Sequence, residues 1–451
     1  MKSNLIHESV VHLGQQRGAP RYFVNARYLA RAGFAGGQWI SIRMGAGTLS
    51  ISPCEEPSGK RVQEKNGHPL IDLNAKFLSE VFGDSRTIQV RVSEREIVLT
   101  VHPLDQQQRA RPSDGSMGSL FSGAGLLDQA GVEAGYTAKW AVEIEGSTAD
   151  TYSGNHPSAA VYEMSVHEAA FSTSLTPVEL LLLGLPCQPW ARCRTLNADG
   201  SKIDRSRPAT EHPLGDMAFW AFLIISRVNP RTVILECAPG FKDKELWASL
   251  SGALRRLGYS VDSQVMSAAD FGAVSKRTRT VLVATTPEAG RQPFVWPTPL
   301  ATDARRTTVG DLLDRDVPQE LWWNRESKPW VFRVNERNAE RGSGFGFQVV
   351  KPTDISMGTL TAEYGETKND QPLLAHPTLP DTYRYFTVSE GRRIFGLNDS
   401  YVLPEAKTRA WRLLGQAVYV PLFTAVIRAA TAIVRAPVSS GVEDLPLFAS
   451  T

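Results

Sequence analysis

Short apolar runs alternate with stretches of helical spacing through the central part of the chain. The runs have the length and composition of buried strands, and they lie at 138–142, 179–183, 232–235 and 280–284. Residues 217–228 and 245–257 carry apolar positions at the helical period. Because parallel strands need crossover helices, this alternation predicts a doubly wound α/β sheet with parallel strands between about residues 117 and 286.

A second pattern, in which apolar and polar residues alternate, occurs twice near the start of the chain. The segment Asn25-Ala26-Arg27-Tyr28-Leu29 recurs as Asn74-Ala75-Lys76-Phe77-Leu78, and two alternating stretches follow each copy. Alternation with a period of two residues is typical of half-buried strands. We therefore predict that residues 21–53 and 69–103 are two copies of one unit, which consists of a strand, a short helix and a hairpin.

The repeated unit resembles the swapped-hairpin barrel of AbrB-like domains, and its turn Ala32-Gly33-Phe34 resembles the SymE-like branch in particular. In that family two units associate to bind DNA, so the resemblance implies both halves of a barrel within one chain. A small β-rich structural or interaction domain without DNA contact is the alternative. It stays open because basic residues only modestly outnumber acidic ones in this region.

The rest of the chain is divided by changes in composition. Residues 106–116 lack periodicity and favour solvated backbone, as a linker does. Residues 293–376 are rich in turns, charges and aromatic side chains, which predicts a separate irregular lobe, and helical patterns return at 389–395 and 408–435. The predicted organisation is a β-rich domain at 1–105, a linker at 106–116, an α/β domain at 117–292, the lobe at 293–376, a return to the α/β domain at 377–435, and a loose tail at 436–451.

Composition narrows the class of protein mainly by exclusion. A chain of 451 residues is too long for one core of typical size. No apolar stretch approaches the roughly 20 residues of a membrane span, and the first residues lack a hydrophobic signal core, so we expect a cytoplasmic protein without a membrane partner. Four cysteines without a CxxC pair predict neither a disulfide framework nor a zinc site. A net charge of +2 means that any DNA contact must come from local basic surfaces.

A glycine loop is the first candidate for chemistry. The loop Phe121-Ser122-Gly123-Ala124-Gly125 separates a short apolar strand from a helical pattern, and its glycines allow a ligand to approach the backbone. The next strand ends at Glu143, at the distance where nucleotide-binding folds place an acid on the ribose hydroxyls. The pair predicts a nucleotide-like cofactor, although a structural turn would need the same glycines.

Three further segments place reactive side chains at strand ends. Cys187 lies on the loop that leaves the apolar run 180–184, and Glu236 ends the run that follows it. Arg277 and Arg279 alternate at the start of another strand, so both point to one face. Each has an ordinary alternative: a cysteine that fills a core, a glutamate that caps a helix, and arginines that are merely solvated.

The glycine loop, the Pro186-Cys187 loop and the strand-end glutamate, in this order, resemble the cytosine-C5 DNA methyltransferases over roughly 117–435. Two later segments, 271–279 and 414–422, extend the resemblance. It implies a Rossmann-like sheet with 293–376 as the target-recognition lobe. It also implies that the thiol of one residue adds to carbon 6 of cytosine while the others assist at the ring; these catalytic residues are Cys187, Glu236, Arg277 and Arg279.

The same resemblance implies S-adenosylmethionine as the cofactor. The positions that form its pocket in the family are Phe121, Ser122, Gly123, Gly125, Glu143, Ile144, Ser165, Gln416 and Ala417. Glu143 would hold the ribose, and Ile144 would pack on adenine. The chain departs from the family pattern at four positions, where it has Ser165 for aspartate, Cys237 for asparagine, Ser275 for glutamine and Gln416 for asparagine.

The expected function is methylation of carbon 5 of a cytosine flipped out of double-stranded DNA. A monomer is expected, and a restriction-modification or defence partner would suit the family. A catalytically weakened relative that binds or regulates DNA is one alternative, favoured by the four departures. A tRNA methyltransferase on the same fold is another, opposed by the lack of the Cys-Phe-Thr insert that such relatives carry.

Overall fold

The chain forms two compact units, one spanning residues 1–110 and the other residues 111–451. The computed structural model describes residues 4–435 except 56–59, 75, 84, 104, 106–110, 187–211, 213, 242–244, 287–293, 302–303, 343–345 and 366–370. Arg111 belongs to the second unit although it falls within the predicted linker. It is buried, lies over the Tyr259 ring at 4.6 Å and donates to the Asn229 side chain at 2.8 Å.

The first unit is rich in β-structure. Its elements are β1 (Leu5–His12), β2 (Gly14–Gln16), β3 (Ala19–Asn25), α1 (Arg27–Arg31), β4 (Trp39–Gly45), β5 (Thr48–Cys54), β6 (Lys60–Arg61), β7 (Gln63–Lys65), β8 (His68–Asn74), α2 (Phe77–Phe82), β9 (Thr87–Ser93) and β10 (Glu96–Val101). They form a six-stranded sheet in the order β1-β9-β10-β5-β4-β6 and a four-stranded sheet in the order β2-β3-β8-β7. Apolar side chains from both sheets and both helices share one core.

The two halves of this unit pair as a twofold axis would require. β3 pairs with β8 so that Arg21 faces Asn74 and Asn25 faces Leu70, and β5 pairs with β10 so that Ile51 faces Ile97. In each strand pair, a contact made by a residue of one repeat is therefore made again by the equivalent residue of the other repeat. The duplication also begins earlier than residue 21, because the hairpin formed by β2 and β3 has its counterpart in β7 and β8.

The second unit is built on a seven-stranded sheet in the order β13-β12-β11-β14-β15-β17-β16. The strands and the helices between them are β11 (Ser116–Leu120), α3 (Leu126–Glu133), β12 (Thr137–Glu143), α4 (Gly146–Asn155), β13 (Ala160–Glu163), α5 (Val166–Phe171), β14 (Leu180–Gly184), α6 (Met217–Val228), β15 (Thr232–Cys237), α7 (Glu245–Arg256), β16 (Ser260–Ser267) and β17 (Thr278–Thr285). This order confirms the Rossmann-like α/β class.

One strand of this sheet runs against the prediction. β17, which covers the run 280–284, is antiparallel to both β15 and β16, whereas the sequence predicts parallel strands throughout. The chain reaches it directly from β16 through a short 3-10 turn, Ala268–Phe271, and no crossover helix intervenes. β16 escaped the sequence analysis because it is an edge strand with many exposed polar residues.

The sheet separates two apolar cores. Leu180 and Leu182 of β14 face one core, which also contains α3 and the C-terminal helices, while Leu181 and Leu183 face the other, which contains α6 and α7. Burial on both faces explains why this strand is continuously apolar instead of alternating.

Residues 293–376 contain more regular structure than the sequence predicts. β18 (Trp323–Asn324), α8 (Pro329–Glu340), β19 (Gln348–Val350), β20 (Pro372–Ala375) and β21 (Thr382–Arg384) lie here or just beyond, and the strands form a four-stranded sheet in the order β18-β21-β20-β19. Short 3-10 turns at Gly310–Leu312 and Gln319–Leu321 precede it. Strands of two to four residues are too short to show a period in the sequence.

Three helices complete the second unit: α9 (Val388–Ile394), α10 (Lys407–Gln416) and α11 (Val420–Arg435). The last two replace the single helical stretch that the sequence indicates at 408–435. By length and composition, 407–433 could cross a membrane, but 61% of its most apolar window is buried within the fold. Such burial is typical of a core helix in a globular protein.

Candidate active site

The strand ends that carry the predicted residues meet at one edge of the seven-stranded sheet. β11, β12, β14 and β15 are mutually parallel, so Phe121, Glu143 and Glu236 lie at the same edge. β17 is antiparallel and therefore begins at that edge, which places Arg279 near Glu236. This edge is where open α/β sheets bind their ligands.

The glycine loop and Glu143 hold each other in place. The Ser122 backbone N–H donates to the carbonyl of Val142 at 3.2 Å, and the Gly123 N–H donates to Glu143 Oε2 at 2.9 Å. Glu143 Oε1 accepts the N–H of Glu145, also at 2.9 Å. The carboxylate is half-buried, so its remaining lone pairs can accept hydrogen bonds from a ligand.

Gly125 allows the loop to pack closely onto its support. Its φ is +89°, and a Cβ there would lie 2.5 Å from His156 Nε2, so the position excludes a side chain. His156 donates to the Gly125 carbonyl at 3.0 Å, and Tyr401 donates to the Ala124 carbonyl at 2.5 Å. Two buried side chains thus fix the backbone of the loop.

A buried carboxylate anchors the same support. Asp128 accepts hydrogen bonds from Tyr152 at 2.7 Å and Ser119 at 3.0 Å, and its burial raises its pKa. Tyr152 also stacks at an angle on His156. No motif in the sequence marks these residues, because they act through packing beneath the loop.

The other four predicted cofactor residues differ in exposure and in hydrogen bonding. Ile144 is 69% exposed, which leaves an apolar surface beside Glu143. Ser165 caps α5, where its hydroxyl accepts the N–H of Glu168 and the Glu168 carboxylate accepts the N–H of Ser165. Gln416 ends α10 with an exposed side chain, and Ala417 behind it is buried. Ser165 therefore has a local structural role, and the spacing of Ser165 and Glu168 is the signal in the sequence that indicates it.

Glu236 is a buried acid with an arginine partner. Its side chain is 9% exposed, and its Oε1 lies 2.5 Å from Arg279 Nε. Burial raises the pKa of Glu236, and the charges of Arg279 and Arg277 offset this only in part. Such an acid favours its protonated form more than an ordinary glutamate does, so it can donate a hydrogen bond.

Arg277 has a different environment from Arg279. It is buried, and its guanidinium donates to the carbonyls of Gly415 at 2.9 Å and Leu360 at 3.5 Å. A Cβ on Gly415 would overlap the backbone of Thr361 and Ala362, so these two segments meet without intervening side chains. Arg277 joins them at the point of contact.

Cys187 lies outside the described residues, so the structure does not describe the predicted nucleophile. The preceding residues are ordered around Glu236: Gly184 pairs with Glu236 in the sheet, and the Leu185 N–H donates to the Glu236 carbonyl at 3.0 Å. Cys187 follows Gly184 by three positions in the sequence.

The residues at this edge fit S-adenosylmethionine. Glu143 offers carboxylate oxygens suited to ribose hydroxyls, and Ile144 offers an exposed apolar surface suited to adenine. The N-terminus of α3 directly follows the loop, and its unpaired N–H groups suit the carboxylate of the methionine part.

The second unit matches a protein family over most of its length. The family model of C-5 cytosine-specific DNA methylases matches residues 115–432. The type II methyltransferase M.DsaV of Dactylococcopsis salina is 26% identical over 316 residues, which cover 68% of this chain and 83% of that protein. M.MspI of Moraxella sp is 24% identical over 374 residues, 81% of this chain and 82% of that protein.

Solved structures show the same fold. The crystal structure of S. pombe Dnmt2 methyltransferase aligns with a TM-score of 0.52 at 19% identity and covers 69% of this chain and 97% of that one. A Spodoptera frugiperda DNMT2 mutant aligns equally well, with a TM-score of 0.52 at 18% identity, and covers 70% of this chain and 99% of that one. These likenesses concern the fold alone.

The fold and its strand-end residues define an α/β methyltransferase. The chain belongs to the C-5 cytosine-specific DNA methylase family. Its activity is that of a DNA (cytosine-5)-methyltransferase, and members of this family use S-adenosylmethionine.

Proposed function

We propose that the chain methylates carbon 5 of a cytosine flipped out of double-stranded DNA, with Cys187 as the nucleophile and Glu236 as the acid at ring nitrogen N3. The observation that carries the proposal is the buried Glu236, whose pKa is raised and whose carboxyl is paired with Arg279 at the edge that also carries Glu143. An acid in this state suits a ring that must accept a proton or hydrogen bond during attack.

The Cys187 thiolate forms a bond to carbon 6, the electrons of the 5,6 double bond move toward N3, and N3 takes a proton from Glu236, which leaves carbon 5 nucleophilic. After carbon 5 has taken the methyl group, its proton passes to a water molecule and the 5,6 double bond forms again. The bond between carbon 6 and sulfur then breaks to release the Cys187 thiolate, and N3 returns its proton to Glu236. Arg279 orients the Glu236 carboxyl and limits its movement, while Arg277 acts on the surrounding backbone instead of the ring.

The cofactor supplies an electrophilic methyl group on a sulfonium sulfur. We assign its ribose to Glu143, its adenine to the surface formed by Ile144, and its methionine part to the loop of Phe121, Ser122, Gly123 and Gly125, with Gln416 and Ala417 alongside. Ser165 contributes through the position of α5, because its hydroxyl is already engaged with Glu168.

Replacement of the nucleophile tests the covalent route. Cys187→Ser should abolish tritium transfer to duplex DNA while cofactor binding survives, since the loop and Glu143 are untouched. Cys54→Ser, in the other unit, is the matched control and should retain activity. DNA containing 5-fluorocytosine should form a persistent adduct with the wild type, because fluorine cannot leave as a proton does.

Other results of these experiments would favour a different mechanism or one of the alternative functions. An active Cys187→Ser variant, or an active enzyme that forms no adduct, removes Cys187 from the mechanism. A wild type that binds DNA without methylating it supports a regulatory relative, and transfer to tRNA alone supports an RNA substrate.

We also propose that the first unit adds affinity for DNA, as its AbrB-like resemblance implies. Arg27 begins α1 and Lys76 caps α2 at equivalent positions of the two repeats, and both side chains are exposed, as are those of Arg31 and Arg91. Two equivalent cations related by a pseudo-twofold axis suit the two strands of a duplex.

Salt dependence tests this role. The double variant Arg27→Gln/Lys76→Gln should bind duplex DNA more weakly at low salt, and the slope of log affinity against log salt should fall by roughly 0.9 per lost phosphate contact. Unchanged affinity and slope would assign the first unit to protein partners or to stability. We also propose that the chain is a cytoplasmic monomer. The names of its type II relatives support a restriction-modification or defence system as its setting.

A further inference from the structure

A large cavity lies away from the strand-end residues, between the four-stranded sheet and helix α10. It has a volume of about 660 Å³, and several aromatic rings contribute to its lining. Trp322, Trp323, Tyr364, Tyr385 and Trp411 line it. The Tyr364 ring meets that of Tyr385 edge-on at 5.5 Å and that of Trp411 at a tilt at 4.4 Å. The volume is within the range of small-molecule sites, roughly 300–1,000 Å³.

Lys328 places a positive charge in this cavity. Its Nζ lies 4.9 Å from the Trp323 ring centre and 5.5 Å from that of Tyr385, and burial lowers its pKa. Within the part of the chain that the structure describes, it forms no ion pair with a carboxylate. It is also the N-cap of the twelve-residue helix α8, whose free N–H groups add to the positive potential.

We propose that this cavity binds a nucleotide, with its base stacked among the aromatic rings and its phosphate at Lys328. Stacking on aromatic side chains is a general way to bind an unstacked base. Glu320 and Glu405 also line the cavity. Their carboxylates repel a phosphate placed beside them and accept hydrogen bonds from amino groups, which favours guanine, adenine or cytosine over thymine.

The substrate DNA is the source that we favour, which makes the inference rest on the proposed function. Leu360, bonded to Arg277, and Tyr364 of the cavity belong to one described segment of the second unit. A nucleotide bound in this cavity would be distinct from the target cytosine. It would be a second nucleotide that is displaced from the base stack of the same duplex. A free nucleotide is the other source of the same chemistry.

The test uses the full chain with its cofactor site saturated and deoxyguanosine monophosphate as the probe. Quenching of tryptophan fluorescence should report binding of this probe, and deoxythymidine monophosphate should bind more weakly. The Lys328→Met variant should lower the affinity for deoxyguanosine monophosphate about tenfold. Lys351→Met, an exposed lysine of the same lobe that does not line the cavity, is the matched control.

Duplex DNA identifies the source. If DNA supplies the nucleotide, saturating duplex should displace the probe from the wild type, and Lys328→Met should weaken duplex binding relative to Lys351→Met. Retention of the probe in the presence of duplex indicates a free nucleotide. Equal probe affinity in both lysine variants, or no quenching at all, overturns the proposal. Because quenching does not require methyl transfer, an inactive wild type that still binds the probe would remove the proposed function and leave the cavity site standing.

Discussion

Two buried arginine–glutamate pairs lie in the second unit and differ in how fully the carboxylate is satisfied. Glu390 is fully buried and accepts Arg384 through two parallel bonds of 2.6 and 2.7 Å, as well as the N–H groups of Asp314 and Thr387. Glu236 forms an ion pair with Arg279 through Oε1. In the described part of the chain, its second oxygen receives no donor.

This difference separates a structural acid from one available for chemistry. A carboxylate with four donors has no lone pair to spare, and it stabilises the beginning of α9, where Thr387 and Glu390 form a capping box. A carboxylate with one partner keeps an oxygen for a substrate, and its burial raises its pKa. Burial and pairing are common to both acids, so the free hydrogen-bonding capacity of Glu236 among the described residues is what supports the catalytic role that we propose for it.

Loss of the acid should give the largest effect. Glu236→Gln should lower the single-turnover rate of methyl transfer by roughly 10²–10⁴-fold, because an amide cannot donate the same proton to the cytosine ring. Duplex binding should persist, since the amide keeps the size and polarity of the side chain. Rapid-quench measurement of tritium transfer decides this, and a loss of only a few fold would make Glu236 structural like Glu390.

Loss of the arginine in the other pair should act on stability instead. Arg384→Met leaves Glu390 charged and buried, which should cost about 3–5 kcal/mol of the free energy of unfolding. Denaturant unfolding at neutral pH measures the loss. Arg325→Met, which breaks the exposed pair with Glu336, is the matched control and should cost less than about 1 kcal/mol. Similar losses in both variants would mean that the buried pair is no more important for stability than the exposed one.

The sequence predicts the central sheet well because its strands are buried on both faces and its loops carry glycine, cysteine and acidic residues at strand ends. It predicts the antiparallel β17 poorly, since strand direction depends on how the chain returns and not on the composition of the run. The support under the glycine loop, formed by Asp128, Tyr152 and His156, depends on tertiary packing between distant segments. The same limit applies to the different environments of Arg277 and Arg279, which the sequence treats alike.

A substitution at Arg277 tests whether its role differs from that of Arg279. Arg277→Lys keeps the positive charge but loses the planar fork that bonds two carbonyls, so the contact between Gly415 and the segment after Leu360 should loosen. We expect cofactor affinity to fall by about tenfold, since Gln416 and Ala417 follow Gly415 directly, at roughly 1.4 kcal/mol per factor of ten. Calorimetric titration with the cofactor measures this. An unchanged affinity with a reduced rate would instead place Arg277 at the cytosine.

The dependence of stability on pH gives the smallest effect and tests the state of Glu236 directly. A raised native pKa means that the folded protein binds a proton that the unfolded chain releases, so the stabilisation is present at low pH and is lost as pH rises through the native value. The relevant window begins at the ordinary glutamate pKa, about 4.3, and extends upward to the raised value. The glutamine of the Glu236→Gln variant cannot titrate there. The melting temperature of the variant should therefore rise relative to that of the wild type as pH increases across this window. The charges of Arg277 and Arg279 favour the ionised acid and reduce the difference, so a pH series of melting curves at fixed ionic strength is needed to resolve it. If the two curves stay parallel, the arginines fully offset the burial, and Glu236 is then an ordinary ionised carboxylate that could act on the ring only by accepting a hydrogen bond.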